Sequence, residues 1–127
     1  MFNGAFVKYR NIRWLFSHSG GTIPYLAHRI EWQSKGVKNI REVAPDGVVA
    51  ELRKLYFETA NAASAPTMAA LTTFAPIDHI MYGSDYPYVT SEYNLACLRS
   101  AGLSDSDLAA IERGNAMEFI NRFSANG

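Results

Sequence analysis

Phe16-Ser17-His18-Ser19-Gly20-Gly21 and Met81-Tyr82-Gly83-Ser84-Asp85-Tyr86-Pro87 decide how the chain is read. Each closes an apolar run with the look of a buried strand, and each sets an ionisable side chain, His18 or Asp85, at that strand's carboxyl end. In parallel α/β architectures this is the end where ligands bind and reactions run. A third run, Leu55-Tyr56-Phe57-Glu58-Thr59, lies between them and ends on Glu58. The functional reading turns on whether His18, Glu58 and Asp85 face one shared pocket.

Outward from these stretches, the pattern alternates strand and helix. Phe2, Phe6 and Tyr9 fall on one face of a short helix. Ile12 to Phe16 is β-favouring and mostly apolar, which predicts a strand covered on both faces. Thr22 is placed to cap the next helix, with Pro24 in its first turn and Leu26 and Ile30 four apart on one side. Residues 35–47 read as a loop with short helical turns. Asp46 is placed to cap a short helix carrying Val49 and Leu52, which leads into a strand over 54–59. Pro66 opens a helix with Met68, Leu71 and Ala75 at helical spacing, Pro76 stops it, and Ile80-Met81-Tyr82 forms the third strand. Helices fill the rest: Leu95 and Leu98 face one way, Ser104 and Asp107 form a capping arrangement, and Ala116, Phe119, Ile120 and Phe123 make an apolar stripe. The fold class is therefore α/β with parallel strands. Three βα units are under half of a closed (β/α)8 barrel, which takes about 250 residues.

Bulk properties narrow the classes. The 127 residues suffice for one domain, and 48% hydrophobic with 19% charged residues is an ordinary globular composition. Twelve basic and twelve acidic residues cancel, so no global field favours nucleic acid or an anionic membrane. Without an apolar run of about 20 residues or a signal-peptide pattern, and with Cys97 the only cysteine, the reading expects a cytoplasmic protein.

His18, at a strand end and followed by two glycines, suits general acid–base work or metal ligation; the alternative is a histidine that bonds a loop backbone. Asp85 suits a divalent cation, or else an Asx-type turn onto its own loop. Glu58 reads mainly as structural, as a supporting partner or the mate of a nearby arginine. His79 falls at the opposite, stability-bearing end of its strand, His28 on a helix surface, and Cys97 reads as a small hydrophobe. Trp14 and Trp32 are core or interface candidates.

Ile12-Arg-Trp-Leu-Phe-Ser-His-Ser-Gly-Gly-Thr-Ile-Pro-Tyr-Leu-Ala-His-Arg-Ile30, with Leu55-Tyr-Phe-Glu-Thr-Ala60, Ile80-Met-Tyr-Gly-Ser-Asp-Tyr-Pro87 and Gly114-Asn115-Ala116 in matching order, resembles the amidohydrolase-related metal-dependent enzymes. The similar branch is that of aminocarboxymuconate semialdehyde decarboxylase and the γ-resorcylate-type decarboxylases. The resemblance implies that residues 1–127 are the C-terminal portion of a TIM-like (β/α)8 barrel, its strands six to eight. It implies His18 as the catalytic acid/base, Asp85 as a metal ligand, and Arg29 as a residue that reaches a neighbouring subunit's site to hold a substrate carboxylate, which requires a homodimer. The implied cofactor is a divalent metal, zinc first with manganese or magnesium as alternatives, and the implied substrate a small unsaturated or aromatic carboxylic acid. The family's other metal ligands, a His-x-His or Glu-x-His pair and a further histidine, would lie upstream of Met1.

The expected activity is metal-dependent decarboxylation or hydrolysis. The rival classes are a non-catalytic, self-associating remnant with two open sheet edges, and a small doubly wound α/β domain with a pocket of its own.

Overall fold

Alternating burial along the middle strand fixes which face of the sheet is the core face. The computed structural model describes the backbone of residues 1–124 and the side chains of residues 1–121. Leu55, Phe57 and Thr59 are buried, while the intervening Tyr56 and Glu58 are half-buried on the other face. Three short strands, β1 (Leu15–Phe16), β2 (Tyr56–Glu58) and β3 (Ile80–Met81), form one parallel sheet in the order β1-β2-β3. Leu15 pairs with Tyr56 and Phe16 with Phe57; Phe57 in turn pairs with Ile80, and Glu58 with Met81.

Helices connect and cover the strands. They are α1 (Ala5–Lys8), α2 (Ile23–Ser34), α3 (Ile40–Val43), α4 (Val48–Arg53), α5 (Ala65–Phe74), α6 (Ser91–Arg99), α7 (Asp105–Ala109) and α8 (Asn115–Ser124). A π-turn over Ala110–Gly114 joins the last two. Phe57, Met68, Leu71, Ile80, Leu98 and Ile111 form a fully buried centre between the sheet and α5, α6 and the π-turn. Replacing Leu71 by alanine is expected to cost about 3–4 kcal/mol, the range for a large-to-small change at a site that cannot collapse, as read from the midpoint of a urea unfolding curve. No helix among the described residues is long and apolar enough to cross a membrane.

Several expectations need correction. β1 is two residues rather than five, and Leu15 is 46% exposed and Ile12 49%, so this strand is covered on one face only. The covered side is where Phe6 meets Trp14 and Phe16, with ring centroids 5.4 and 6.3 Å apart. Phe2 and Tyr9 do not share that packing and stand exposed. Thr22 precedes α2 in a helical conformation, and its side chain caps nothing. Asp46 does not cap α4 either: Gly47 holds that position at φ 94°, and Asp46 pairs with Lys54 instead. The Lys54 ammonium holds the Asp46 carboxyl below the usual carboxylate range. By contrast the Ser104 hydroxyl accepts the Asp107 amide at 3.1 Å, the cap read from sequence. On α8, Phe119 lies edge-on to Tyr56 at 4.8 Å and Ile120 is exposed; the Phe123 side chain lies outside the described residues.

Candidate active site

The three candidate residues all stand where the strands end, and Glu58 touches the backbone of the loop after β1 and, at Gly83, the loop after β3. One carboxylate oxygen of Glu58 accepts the His18 backbone N–H at 3.0 Å, and the other accepts the Ala60 N–H at 2.7 Å. These partners are main-chain donors, not the arginine entertained from sequence. The same carboxylate fills the space beside Gly83: any Cβ there would collide with it and would crowd the Ala60 nitrogen at 3.2 Å. Glu58 thus ties the loop after β1 to the end of β2 and abuts the loop after β3.

His18 itself is exposed, and its Nδ1 lies 2.8 Å from the Ala60 carbonyl. A carbonyl oxygen only accepts, so Nδ1 must carry the hydrogen and donate it. That leaves Nε2 as the nitrogen free to take up or release a proton, with the ring orientation set by the loop after β2. His18 therefore does bond a loop backbone, and in doing so presents its other nitrogen.

Asp85 is half-buried at the end of the third loop. Its carbonyl accepts the Tyr88 and Val89 amides at 2.9 and 3.1 Å, but its carboxylate makes no hydrogen bond among the described residues. The turn onto its own loop considered above is not formed by Asp85; the neighbouring Ser84 hydroxyl accepts the Tyr86 amide instead.

Backbone strain gathers on the same rim. Among the described residues the non-glycine positions with positive φ are His18 (53°), Ser19 (54°), Asn61 (47°) and Asp85 (72°), all in the loops that follow the three strands. A left-handed L-residue costs roughly 1–2 kcal/mol, and such strain collects at functional positions. Asp85 combines strain with an unpartnered carboxylate. Asp85→Gly is therefore expected to leave stability unchanged or raise it by up to about 1 kcal/mol, measured by thermal and urea unfolding; a loss above that size would assign Asp85 a structural role.

Asn94, only 1% exposed on α6, went unnoticed in the sequence. Its amide donates to the Thr59 carbonyl at 3.1 Å and the Gly83 carbonyl at 2.5 Å, clamping the ends of β2 and β3 together. The Thr59 hydroxyl adds a third tie by accepting the Gly83 amide at 3.2 Å. No sequence signal marks Asn94, because its partners are backbone carbonyls from two distant loops.

Arg29 is not brought to this rim. It lies exposed on α2, beside a shallow cavity of about 280 Å³ shared with His28, Trp32 and Gln33. His79 is structural as expected, stacked on Tyr56 at 4.3 Å with Nδ1 3.1 Å from the Leu55 carbonyl. Cys97 packs against the core.

A metal does not fit these residues alone. Among the described residues no group of three or more His, Cys, Asp or Glu side chains converges to hold an ion. A zinc site ordinarily takes three or four protein ligands, and this rim offers one uncommitted carboxylate.

Comparison with known proteins agrees with the fold. Residues 1–122 match the family model described as Amidohydrolase. The 6-methylsalicylic acid decarboxylase acuB of Aspergillus aculeatus is 32% identical over 121 residues, covering 93% of this chain and 36% of its own length. The crystal structure of 2,6-dihydroxybenzoate decarboxylase from Rhizobium superposes with a TM-score of 0.82 at 20% identity, over 100% of this chain and 39% of that one. The dihydroxybenzoic acid decarboxylase of Polaromonas, solved with bound manganese and 2-nitroresorcinol, matches with a TM-score of 0.78 at 22% identity, over 99% of this chain and 38% of its own. The metal there is manganese, where the resemblance puts zinc first. The chain spans little more than a third of the length of the relatives it matches. Its three parallel strands and their helices match part of these decarboxylase structures. On the family match over nearly its whole length, the chain belongs to the amidohydrolase family.

Proposed function

We propose that the chain is the strand-six-to-eight portion of an amidohydrolase-type barrel that decarboxylates a small aromatic carboxylic acid. The observation that carries this reading is the Glu58 carboxylate, which accepts the His18 and Ala60 backbone N–H groups and abuts Gly83 on the loop that carries Asp85. In support, the proteins it is similar to include decarboxylases of 6-methylsalicylic and 2,6-dihydroxybenzoic acids.

His18 is the proton donor in this reading. Protonated at both ring nitrogens, it gives the Nε2 proton to the ring carbon that bears the carboxylate. The bond from that carbon to the carboxylate then breaks, its electron pair returns to the ring, CO₂ leaves, and His18 regains a proton from solvent. The Ala60 carbonyl keeps Nδ1 protonated throughout and so keeps Nε2 the exchanging nitrogen. Glu58 holds the loop and takes no part in the transfer. Asp85 is the one carboxylate this chain would lend to a divalent-metal centre, manganese before zinc, whose remaining ligands lie outside these residues. Arg29 is proposed as the substrate-carboxylate ligand of a neighbouring subunit in a homodimer, since a guanidinium suits bidentate carboxylate binding.

The test is a chimera of acuB in which this chain replaces the matched 121 residues. With manganese supplied, it is expected to convert 6-methylsalicylate to the decarboxylated phenol with release of CO₂. A folded chimera that binds manganese yet releases none from 6-methylsalicylate or 2,6-dihydroxybenzoate would refute the decarboxylase assignment.

A further inference from the structure

His18 and Ser19 are consecutive, and both hold left-handed backbone conformations, at φ 53° and 54°. Glycine adopts such angles at no steric cost, and Gly20 and Gly21 follow at φ 74° and 59°. The chain nevertheless sets a serine at the second strained position, and that serine is wholly buried. Among the described residues its hydroxyl has one partner: it donates to the Ala62 carbonyl at 3.1 Å. Gly20 lies so close to the Phe57 ring that a Cβ there would stand 2.8 Å from it. The strained pair is thus seated on the core and tied to the loop after β2.

The acceptor loop is itself held in place. The Ala62 N–H donates to the Thr59 carbonyl at 2.9 Å, closing a turn through left-handed Asn61. Buried Asn94 donates to the same Thr59 carbonyl at 3.1 Å, which anchors the turn to α6. Two carbonyls of this turn, two residues apart, meet the loop after β1: Ala60 bonds His18 Nδ1 at 2.8 Å, and Ala62 accepts the Ser19 hydroxyl. Adjacent donors therefore take alternate acceptors, which fixes one loop in register on the other. The two bonds are not equally sheltered. His18 is exposed, and water can compete for its ring, whereas Ser19 is closed off from any substitute donor or acceptor.

We propose that Ser19 is a positioning residue for the proton transfer: its bond to Ala62 restrains the left-handed pair, so that His18 keeps Nδ1 on the Ala60 carbonyl and Nε2 free for exchange. This rests on the role of His18 as proton donor given above. Without the hydroxyl, the Ala62 carbonyl loses a buried donor, and the strained backbone of residues 18 and 19 loses its side-chain restraint. The ring then samples both neutral tautomers and a wider range of orientations, and the fraction of time in which Nε2 is ready for the substrate falls. Ser19 gives up no proton in the reaction, since it is buried and its hydroxyl is committed to Ala62. It acts only through His18.

The experiment places nitrogen-labelled histidine in the acuB chimera and reads the ring nitrogens of His18 by NMR at alkaline pH, where imidazole is neutral. The signals lost in His18→Gln identify the ring. In the parent chimera Nδ1 is expected to give the signal of a protonated nitrogen and Nε2 that of a bare one. Ser19→Ala and Ser19→Gly should each draw the two signals together toward a tautomer average. Each should also lower kcat at least about tenfold and leave KM within about twofold of the parent. Ser19→Gly separates positioning from folding, because glycine removes the hydroxyl while easing the left-handed backbone, so its urea midpoint should stay at that of the parent. Should the alanine variant fail to fold, the glycine variant alone decides. Ring signals in Ser19→Gly as far apart as in the parent, full turnover despite merged signals, or a fall in the urea midpoint of Ser19→Gly would each overturn the proposal. A chimera that releases no CO₂ would refute the decarboxylase assignment, while the ring signals still report on Ser19 without turnover, so the two can fail independently.

Discussion

Replacing His18 by alanine in the acuB chimera is expected to lower the turnover of 6-methylsalicylate by about 10²–10⁴-fold, the usual contribution of a positioned acid–base group. Stability should change little. The side chain is exposed, it makes one hydrogen bond to the Ala60 carbonyl, and its removal leaves the Glu58 bond to the backbone N–H of residue 18 in place. The loss should fall on kcat rather than on KM, because the group acts in the proton transfer and not in ground-state binding. His18→Gln separates the roles: it can keep a donor to Ala60 but cannot shuttle a proton, so it should be as inactive as alanine. A variant that retains full turnover would remove His18 from the chemistry.

Gly83→Ala is expected to have a large effect on folding, about 3 kcal/mol of lost stability in urea unfolding, at the upper end for forcing an atom into filled space. The new methyl and the Glu58 carboxylate claim the same volume, and the Ala60 nitrogen that this carboxylate bonds stands just behind it. If Glu58 gives way, it releases the His18 and Ala60 amides that it holds. The cost should therefore be much smaller in a Glu58→Ala background, with a coupling of about 1–2 kcal/mol between the two positions. Additive effects would mean that the collision is absorbed elsewhere and that Glu58 is not the keystone of the rim.

What was legible in the sequence follows from how local its cause is. The order of strands and helices was readable, since apolar runs and the breaks at Gly20-Gly21, Pro66 and Pro76 act over a few residues. So was the Ser104–Asp107 cap, which closes within one turn. Thr22 and Asp46 carry the same chemistry but fail as caps, because a helical backbone at Thr22 and a stronger partner in Lys54 for Asp46 take precedence. The exposure of Leu15 was invisible because an apolar strand looks the same whether one face or both are covered. At the site, His18 and Asp85 were visible from their strand-end positions. Their left-handed backbones were not, since no residue type demands that conformation outside glycine. The main-chain partners of Glu58 were not foreseen and Asn94 was missed for one reason: the His18 N–H that Glu58 accepts and the Thr59 carbonyl that Asn94 binds lie 40 and 35 residues away.

The central claim is that the His18 imidazole and the Asp85 carboxylate converge on one rim. Paramagnetic broadening by manganese added to the isotope-labelled acuB chimera tests it most directly. Amide signals from His18 to Gly20 and from Ser84 to Asp85 should broaden together over the same manganese range, and Asp85→Gly should abolish both effects. Broadening near Asp85 that spares His18, or broadening at His18 that survives Asp85→Gly, would contradict the shared site.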